Sequence, residues 1–283
     1  MDNDYPQLLY HYTNYVALEG ILKDGIIRLC AANNMNDSEE MIYFTRKLKK
    51  YVISKLRHEI QKKDVIDQFK KDYEIEIKKR KNEICYLFSM SQMEDDVSQW
   101  DRYGNHGKGV AIAFDSDVLS MVAKDHMLSL KKVIYGDTVI SNHELIDNMI
   151  DGIQGIFPTR GNLIDLEMIF NQIFACSIHY KNPCFMSEKE YRLSSMPEWD
   201  EEYYKQLGLD ISSVSTPTQI NKKVILFNWK NSCDEKKIPY EKLIKKIIIG
   251  NQSGQKENVK NWLKNNDLEC LLDCVKNSKA TLQ

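Results

Sequence analysis

The sequence predicts an α+β protein with a mixed or antiparallel sheet at its core, and two observations carry that expectation. Strand-like and helix-like segments follow one another irregularly, without the βαβ rhythm that builds a parallel sheet. Apolar residues make up 42% of the 283 positions, enough for a core of real size. No internal repeat is visible, and residues 1–283 are expected to form a single domain with a basic helical insertion at 41–82.

Bulk properties narrow the class. Lys and Arg number 39 against 41 Asp and Glu, so no global field marks a nucleic-acid partner, although local asymmetry remains. No apolar run approaches the roughly 18 to 20 residues needed to cross a bilayer, and the N-terminus lacks the basic and apolar regions of a signal peptide. The cytoplasm is the expected compartment, with no membrane partner. Seven cysteines without CxxC spacing read as reduced thiols, several inside apolar runs. The histidines are scattered, with no HxxxH or HExxH, and no metal is expected.

Leu8 to Tyr12 reads as a first strand. Asn14 is placed to cap a short helix through Val16, Leu18, Ile21 and Leu22 that stops at Asp24-Gly25, and Ile26 to Cys30 is a second strand. The polar stretch Asn33 to Glu40 reads as a turn. From Met41 to about Lys81 there is neither Gly nor Pro, and apolar residues such as Leu48, Val52, Phe69 and Tyr73 fall at helical spacing, giving two helices that break near Lys63 and Asp64. Between Arg46 and Lys81, 14 basic residues face 6 acidic ones. That excess can contact phosphates, with Tyr51, Phe69 or Tyr73 nearby for base stacking. Equally, it can be the solvated face of helices whose acids and bases pair at i,i+4.

Glu83 to Ser89 reads as a buried strand and Met90 to Glu94 as a loop. Asp95 or Asp96 then caps a turn or two of helix carrying Val97, Trp100 and Tyr103 on one face, closed by Gly104. The glycines of Gly104-Asn105-His106-Gly107-Lys108-Gly109 lack the order of a dinucleotide fingerprint and the ending of a P-loop, so they serve tight turning before a strand at Val110 to Phe114. Ser116 to Lys124 is a helix, Leu130 to Tyr135 a strand, and Ser141 to Ile153 and Asn162 to Tyr180 are helical. Glu188 to Leu193 is extended, and Glu198 to Pro217 is polar and weakly patterned. Val224 to Trp229 and Leu243 to Ile249 are strands, Ser253 caps a last helix to about Asn265, and Leu268 to Val275 pairs as a closing strand.

Three stretches carry the candidate chemistry. In Phe185-Met186-Ser187-Glu188-Lys189-Glu190-Tyr191-Arg192-Leu193, strand alternation puts Glu188 and Glu190 on one face, where both carboxylates can look into one cleft. Leu9-Tyr10-His11-Tyr12-Thr13 and Trp100-Asp101-Arg102-Tyr103-Gly104 supply an imidazole and aromatic faces from far away in sequence. Singly, each has an ordinary explanation: a structural imidazole, a core aromatic pair, a surface strand with a salt bridge.

Their order gives them joint meaning. His-Tyr-Thr on a first strand, an aromatic turn before a glycine-flanked strand, and Glu-x-Glu on a later strand resemble the His-Tyr-Glu signature of ADP-ribosyltransferases. The wider pattern adds Asn36-Asp37, Phe88-Ser89-Met90-Ser91, Trp100-x-x-Tyr103 and Gly109 ahead of Phe114, and is similar to a family of bacterial domains of unknown function. The resemblance covers roughly Leu8 to Leu193 and implies an ADP-ribosyltransferase-like fold with NAD as substrate. By that resemblance Glu190 bonds the ribose 2′-hydroxyl and stabilises the oxocarbenium-like charge left when nicotinamide departs. Glu188 orients or deprotonates the acceptor. His11 holds the adenosine ribose, Thr13 or the backbone at Tyr12 holds the carboxamide, and Tyr103 offers its face to the cationic ring. Ser89 and Trp100 complete the binding set. Tyr12 departs from the family pattern, which often has Gly there.

The resemblance also implies an acceptor. RNA or DNA gripped by the basic insertion comes first, RNA favoured, and a protein side chain next. By analogy the role is a bacterial toxin or phage-defence effector with a neutralising antitoxin protein. Two alternatives stay open: an NAD glycohydrolase using the same site, and a non-enzymatic module that binds nucleic acid or a partner through the basic helices.

Overall fold

The computed structural model describes residues 5–32, 40–59, 63–80, 85–136, 177–195, 201–216 and 219–281. The turn expected at 33–40 lies outside them but for Glu40, and so do the helices expected at 141–153 and 162–180 up to residue 176; Tyr180, the expected end of the second, is in a strand. Twelve strands occur among the described residues: β1 (Leu8–Thr13), β2 (Ile26–Ala31), β3 (Tyr86–Ser91), β4 (Val110–Asp115), β5 (Ser129–Lys132), β6 (Ile134–Tyr135), β7 (Tyr180–Lys181), β8 (Glu190–Ser194), β9 (Leu209–Thr216), β10 (Gln219–Asn228), β11 (Ile244–Ile249) and β12 (Val275–Asn277). Ten form one open sheet in the order β12-β11-β4-β1-β3-β2-β10-β9, with β8 paired to β3 and β5 to β8; β6 and β7 pair separately. Every pair in the main sheet is antiparallel except β11 with β12. The fold is thus mixed α and β on a mostly antiparallel sheet.

One irregularity in this sheet positions the site. β8 pairs with β3 along its whole length, from Leu87 to Ser91, and so occupies one edge of it. The other edge is shared: β1 meets β3 at Ser91, whereas β2 meets it at Tyr86 and Leu87. Over Phe88 to Met90 the two strands part, joined by helix α1 (Tyr15–Leu22). Asn14 caps α1 by accepting from Ala17 N at 2.9 Å, and Gly25 ends the turn after it at φ +71°.

The core lies on one face of the sheet. Leu9, Ile27, Leu29, Phe88, Phe114, Tyr191, Leu193 and Ile225 alternate into it, packed under α5 (Ser116–Lys124) and later helices. On the opposite face a smaller cluster joins Tyr10, Tyr12, Trp100, Ala111, Ala113 and Ile248, covered by α4 (Val97–Arg102). Glycine is required where loops press on that cluster. A Cβ on Gly109 would lie 2.2 Å from Thr13 O, and one on Gly104 2.4 Å from the Trp100 ring.

Helices α2 (Glu40–Glu59) and α3 (Lys63–Arg80) pack against each other, with Leu48, Val52, Phe69 and Tyr73 buried. Phe44 stacks on Tyr180 at 4.1 Å between ring centroids, so α2 rests on β7. Phe69 and Tyr73 are therefore core residues and not base-stacking platforms. Some of the basic surplus is paired, as in Lys49 with Glu74 and Lys70 with Asp67.

Several sequence expectations shift. β3 runs through Met90 and Ser91, since β8 pairs with it there. The polar stretch 198–217 holds a helix at Glu201–Gln206 and edge strand β9, whose Ser and Thr content masks its strand character. Ser253 does not cap the last helix, Lys256–Lys264; its hydroxyl bonds Tyr15. Residues Glu269–Cys274 form a 3-10 turn, and only β12 continues the sheet. Cys30, Cys85, Cys184, Cys233, Cys270 and Cys274 are free thiols. Among the described residues no helix is long and apolar enough to cross a membrane.

Candidate active site

Glu188, Glu190, Lys181 and Arg192 are buried together, with exposures of 4%, 5%, 7% and 1%. Such side chains go inside only when their charges are paired. Arg192 Nε donates to Glu190 Oε1 at 2.7 Å and Nη2 to Oε2 at 3.0 Å, a fork that matches the carboxylate plane. The third guanidinium nitrogen donates to Ile178 O. Lys181 Nζ reaches both acids, Glu188 Oε2 at 2.8 Å and Glu190 Oε2 at 3.2 Å, and lies 4.8 Å from the centre of the Phe185 ring. Burial pushes the Glu190 carboxyl up, but Arg192 and then Lys181 outweigh it and hold its pKa at about 2.

The two acids converge by a route other than the expected one. Strand β8 begins at Glu190, whereas Glu188 ends a 3-10 turn, Pro183–Glu188, capped by Asn182. Lys189 between them takes a left-handed φ of 43°, at a cost of roughly 1–3 kcal/mol for a non-glycine residue. Ser91 Oγ holds the turn by donating to Glu188 O at 2.7 Å, and Tyr135 Oη accepts from Glu190 N at 3.0 Å. A kinked backbone, in place of strand alternation, sets the carboxylates side by side.

Helix α4 brings the aromatic element. Asp96 caps it by accepting from Ser98 N and Gln99 N. Trp100 is wholly buried, donates Nε1 to Asp95 at 2.8 Å and meets the Tyr12 ring edge-on, so it anchors the helix and does not line the cavity described below. Tyr103 does not share its face: it is the C-cap and stays 43% exposed. Its hydroxyl donates to Glu188 Oε1 at 2.9 Å, beside Arg102 Nη1 at 3.2 Å. Burial, then the negative charge of Glu188, pushes the Tyr103 hydroxyl up to about 12.

His11 fills the gap where β1 and β2 part. Nδ1 lies 2.9 Å from Ser89 O, and a carbonyl only accepts, so Nδ1 carries the hydrogen and Nε2 is left as an acceptor. The ring packs on Phe88 at 4.2 Å. Burial lowers its pKa to about 4, against a smaller upward pull from the Ser89 carbonyl, which keeps the imidazole neutral. The Tyr12 hydroxyl donates to Met93 O at 2.7 Å and accepts from Asp96 N at 3.1 Å, so its polar end holds the loop before α4.

These groups line one cavity of about 760 Å³, which His11, Tyr12, Ser89, Tyr103, Glu188 and Glu190 all reach; Thr13 does not. Ser89 Oγ lies beside Glu190 and helps hold its pKa down, yet it makes no hydrogen bond of good geometry to any group. Besides the expected residues, Lys181 and Arg192 line the cavity, as do Arg28 on β2 and Lys222 on β10. Among the described residues, none of its lining comes from α2 or α3.

Residues 99–193 match a family model described as a protein of unknown function, DUF2971. No curated protein and no solved structure matches the chain. The matched stretch runs from Gln99 on α4 to Leu193 on β8. It therefore includes Tyr103, Lys181, Glu188, Glu190 and Arg192, the whole charged cluster, but stops short of His11.

Proposed function

We propose that this chain is an NAD-dependent ADP-ribosyltransferase acting on a macromolecular acceptor, nucleic acid first and protein second. The observation that carries this reading is the single cavity shared by His11, Tyr103, Glu188 and Glu190, drawn from three distant segments. Its volume suits a dinucleotide, within the roughly 300–1,000 Å³ usual for ligand sites. The buried Ser89 hydroxyl has hydrogen-bonding capacity left for a sugar, and the neutral His11 ring has an acceptor for a ribose hydroxyl. The surplus of basic residues between Arg46 and Lys81 favours a nucleic-acid acceptor.

In this reading the bond between ribose C1′ and the nicotinamide nitrogen breaks, and its electron pair leaves with nicotinamide. The sugar cation forms beside Glu190, which is ionised at neutral pH. An oxygen or nitrogen of the acceptor then attacks C1′, and Glu188 takes its proton. Lys181 stands between the two acids, so its ammonium has to swing aside as the substrate's own positive charge arrives.

One observation favours a competing reading: both Glu190 oxygens are already held by Arg192, as in a structural ion pair of a non-catalytic binding module. NAD carrying a label on its adenosine half, incubated with total RNA or a protein lysate, decides among the possibilities. Transfer leaves label on macromolecules, and Glu190→Gln is expected to lower it about 10²–10³-fold. Nicotinamide release without labelled product means hydrolysis by the same site. No release at all, or release unchanged in Glu190→Gln, overturns the enzymatic reading.

A further inference from the structure

The four basic side chains lining the cavity are not equivalent. Lys181 and Arg192 are bound to the two carboxylates. Among the described residues Arg28 and Lys222 form no ion pair, and they stand on β2 and β10, across β3 from Glu190 and Arg192 on β8. Register sets them on one face, with Lys222 four residues along β10 from Leu226, the residue opposite Arg28. Arg28 lies opposite Leu226 and Cys30 opposite Val224, so Arg28, Cys30, Lys222, Val224 and Leu226 share one sheet face, while Ile27, Leu29, Ile225 and Phe227 on the other face enter the core. A basic residue in the middle of the otherwise apolar strand Ile-Ile-Arg-Leu-Cys-Ala is there because that face is wet.

A second, independent feature lies beside Arg28. Gly20 is inside helix α1, where glycine costs roughly 0.5–1 kcal/mol against alanine. Packing does not demand it: a Cβ there would meet only the Arg28 guanidinium, at 3.8 Å, an ordinary contact. Gly20 also lines the cavity. The missing side chain thus leaves room on the cavity side, next to Arg28.

We propose that Arg28, over the bare flank of Gly20, and Lys222, further along the same sheet face, form an anion subsite that takes the diphosphate of a dinucleotide whose sugar end lies at Glu188 and Glu190. This rests on the reading of the cavity as an NAD site. It gives the cavity a polarity: the anionic carboxylates face the reacting sugar, and two cations without acid partners face the bridge between the nucleosides.

The test uses calorimetry on the full chain with three probes: ADP-ribose, inorganic pyrophosphate, and nicotinamide riboside, which has no phosphate. Arg28→Gln and Lys222→Gln are each expected to weaken ADP-ribose and pyrophosphate about tenfold, the loss of one charge-assisted contact, and to leave nicotinamide riboside unchanged. Arg28 is exposed, so its variant retains the fold. Gly20→Ala is expected to be at least as stable as the natural chain yet to bind ADP-ribose several-fold more weakly; unchanged affinity overturns the part assigned to Gly20. Pyrophosphate that does not bind the natural chain, or binds both glutamine variants equally well, overturns the subsite. Pyrophosphate that binds in an Arg28-dependent way while ADP-ribose and NAD do not bind retains the anion subsite and overturns the NAD reading.

Discussion

Arg192 grips both oxygens of Glu190 from two residues along the same strand, at 2.7 and 3.0 Å, with both side chains buried. Two charges withdrawn from water in this way depend on each other, and removing one leaves the other desolvated and unmatched. Arg192→Leu is therefore expected to cost about 3–5 kcal/mol of folding stability, measured by urea denaturation. A loss below about 1 kcal/mol would mean that the pair is screened by solvent and is no stronger than a surface bridge.

Lys181 holds both carboxylates from the other side. Its ammonium lowers the Glu190 pKa, and without it two buried acids face each other with less compensation. Lys181→Met is expected to raise that pKa and so move the acidic limb of the NAD-cleavage profile toward higher pH, by about a unit or more. An unmoved limb would show that Lys181 has already left the acids in the working complex.

Tyr103 offers a face and a hydroxyl, and two substitutions separate them. Tyr103→Phe keeps the ring and loses only the bond to Glu188, so KM for NAD is expected to stay within a few-fold. Tyr103→Leu loses the ring as well, and binding of the cationic nicotinamide should weaken by about 0.5–2 kcal/mol, or about two- to thirtyfold. Equal effects of the two changes would place the hydroxyl, not the face, at the centre of its role.

Much of this arrangement was legible in the sequence because short periodic signals carried it. The first strand, the Asn14 cap and the Ser116–Lys124 helix follow from residue type and spacing alone, whereas spacing left the cap of α4 open between Asp95 and Asp96. The two acids were found as a pair, but the left-handed Lys189 that joins them has no sequence mark, since glycine is the usual signal of that conformation. Lys181 was hidden just past the end of an expected helix, Asn162 to Tyr180, because a two-residue strand such as β7 has no periodicity to read. The parting of β1 and β2 over Phe88 to Met90 is a tertiary fact, set by which strand edges are shared. Arg28 left a visible trace, a charge within an apolar strand, whose meaning depends on a face that only the sheet defines.

Neutral imidazoles, His179 buried and His11 half-buried at the cavity wall, make the fold sensitive to acid. Burial holds His11 at about 4 and, together with Lys131 and Arg192, holds His179 at about 3, both below the usual 6.5. As the pH falls through 6.5 the unfolded chain takes up protons that the folded chain refuses, so stability declines from there toward pH 4 for His11 and pH 3 for His179. Glu190, held at about 2 against an ordinary 4.5, works in the same direction lower down: its contribution is whole above pH 4.5 and is lost as the pH falls toward 2. Denaturation series from pH 8 to pH 4 should therefore show a plateau above about pH 7 and then a fall approaching about 1.4 kcal/mol per pH unit for each histidine. His179→Gln removes one of the two groups and should flatten that slope by about half between pH 6 and 4.5. A natural chain equally stable across that range would mean that water reaches both rings, and with them the gap between β1 and β2 into which His11 is packed.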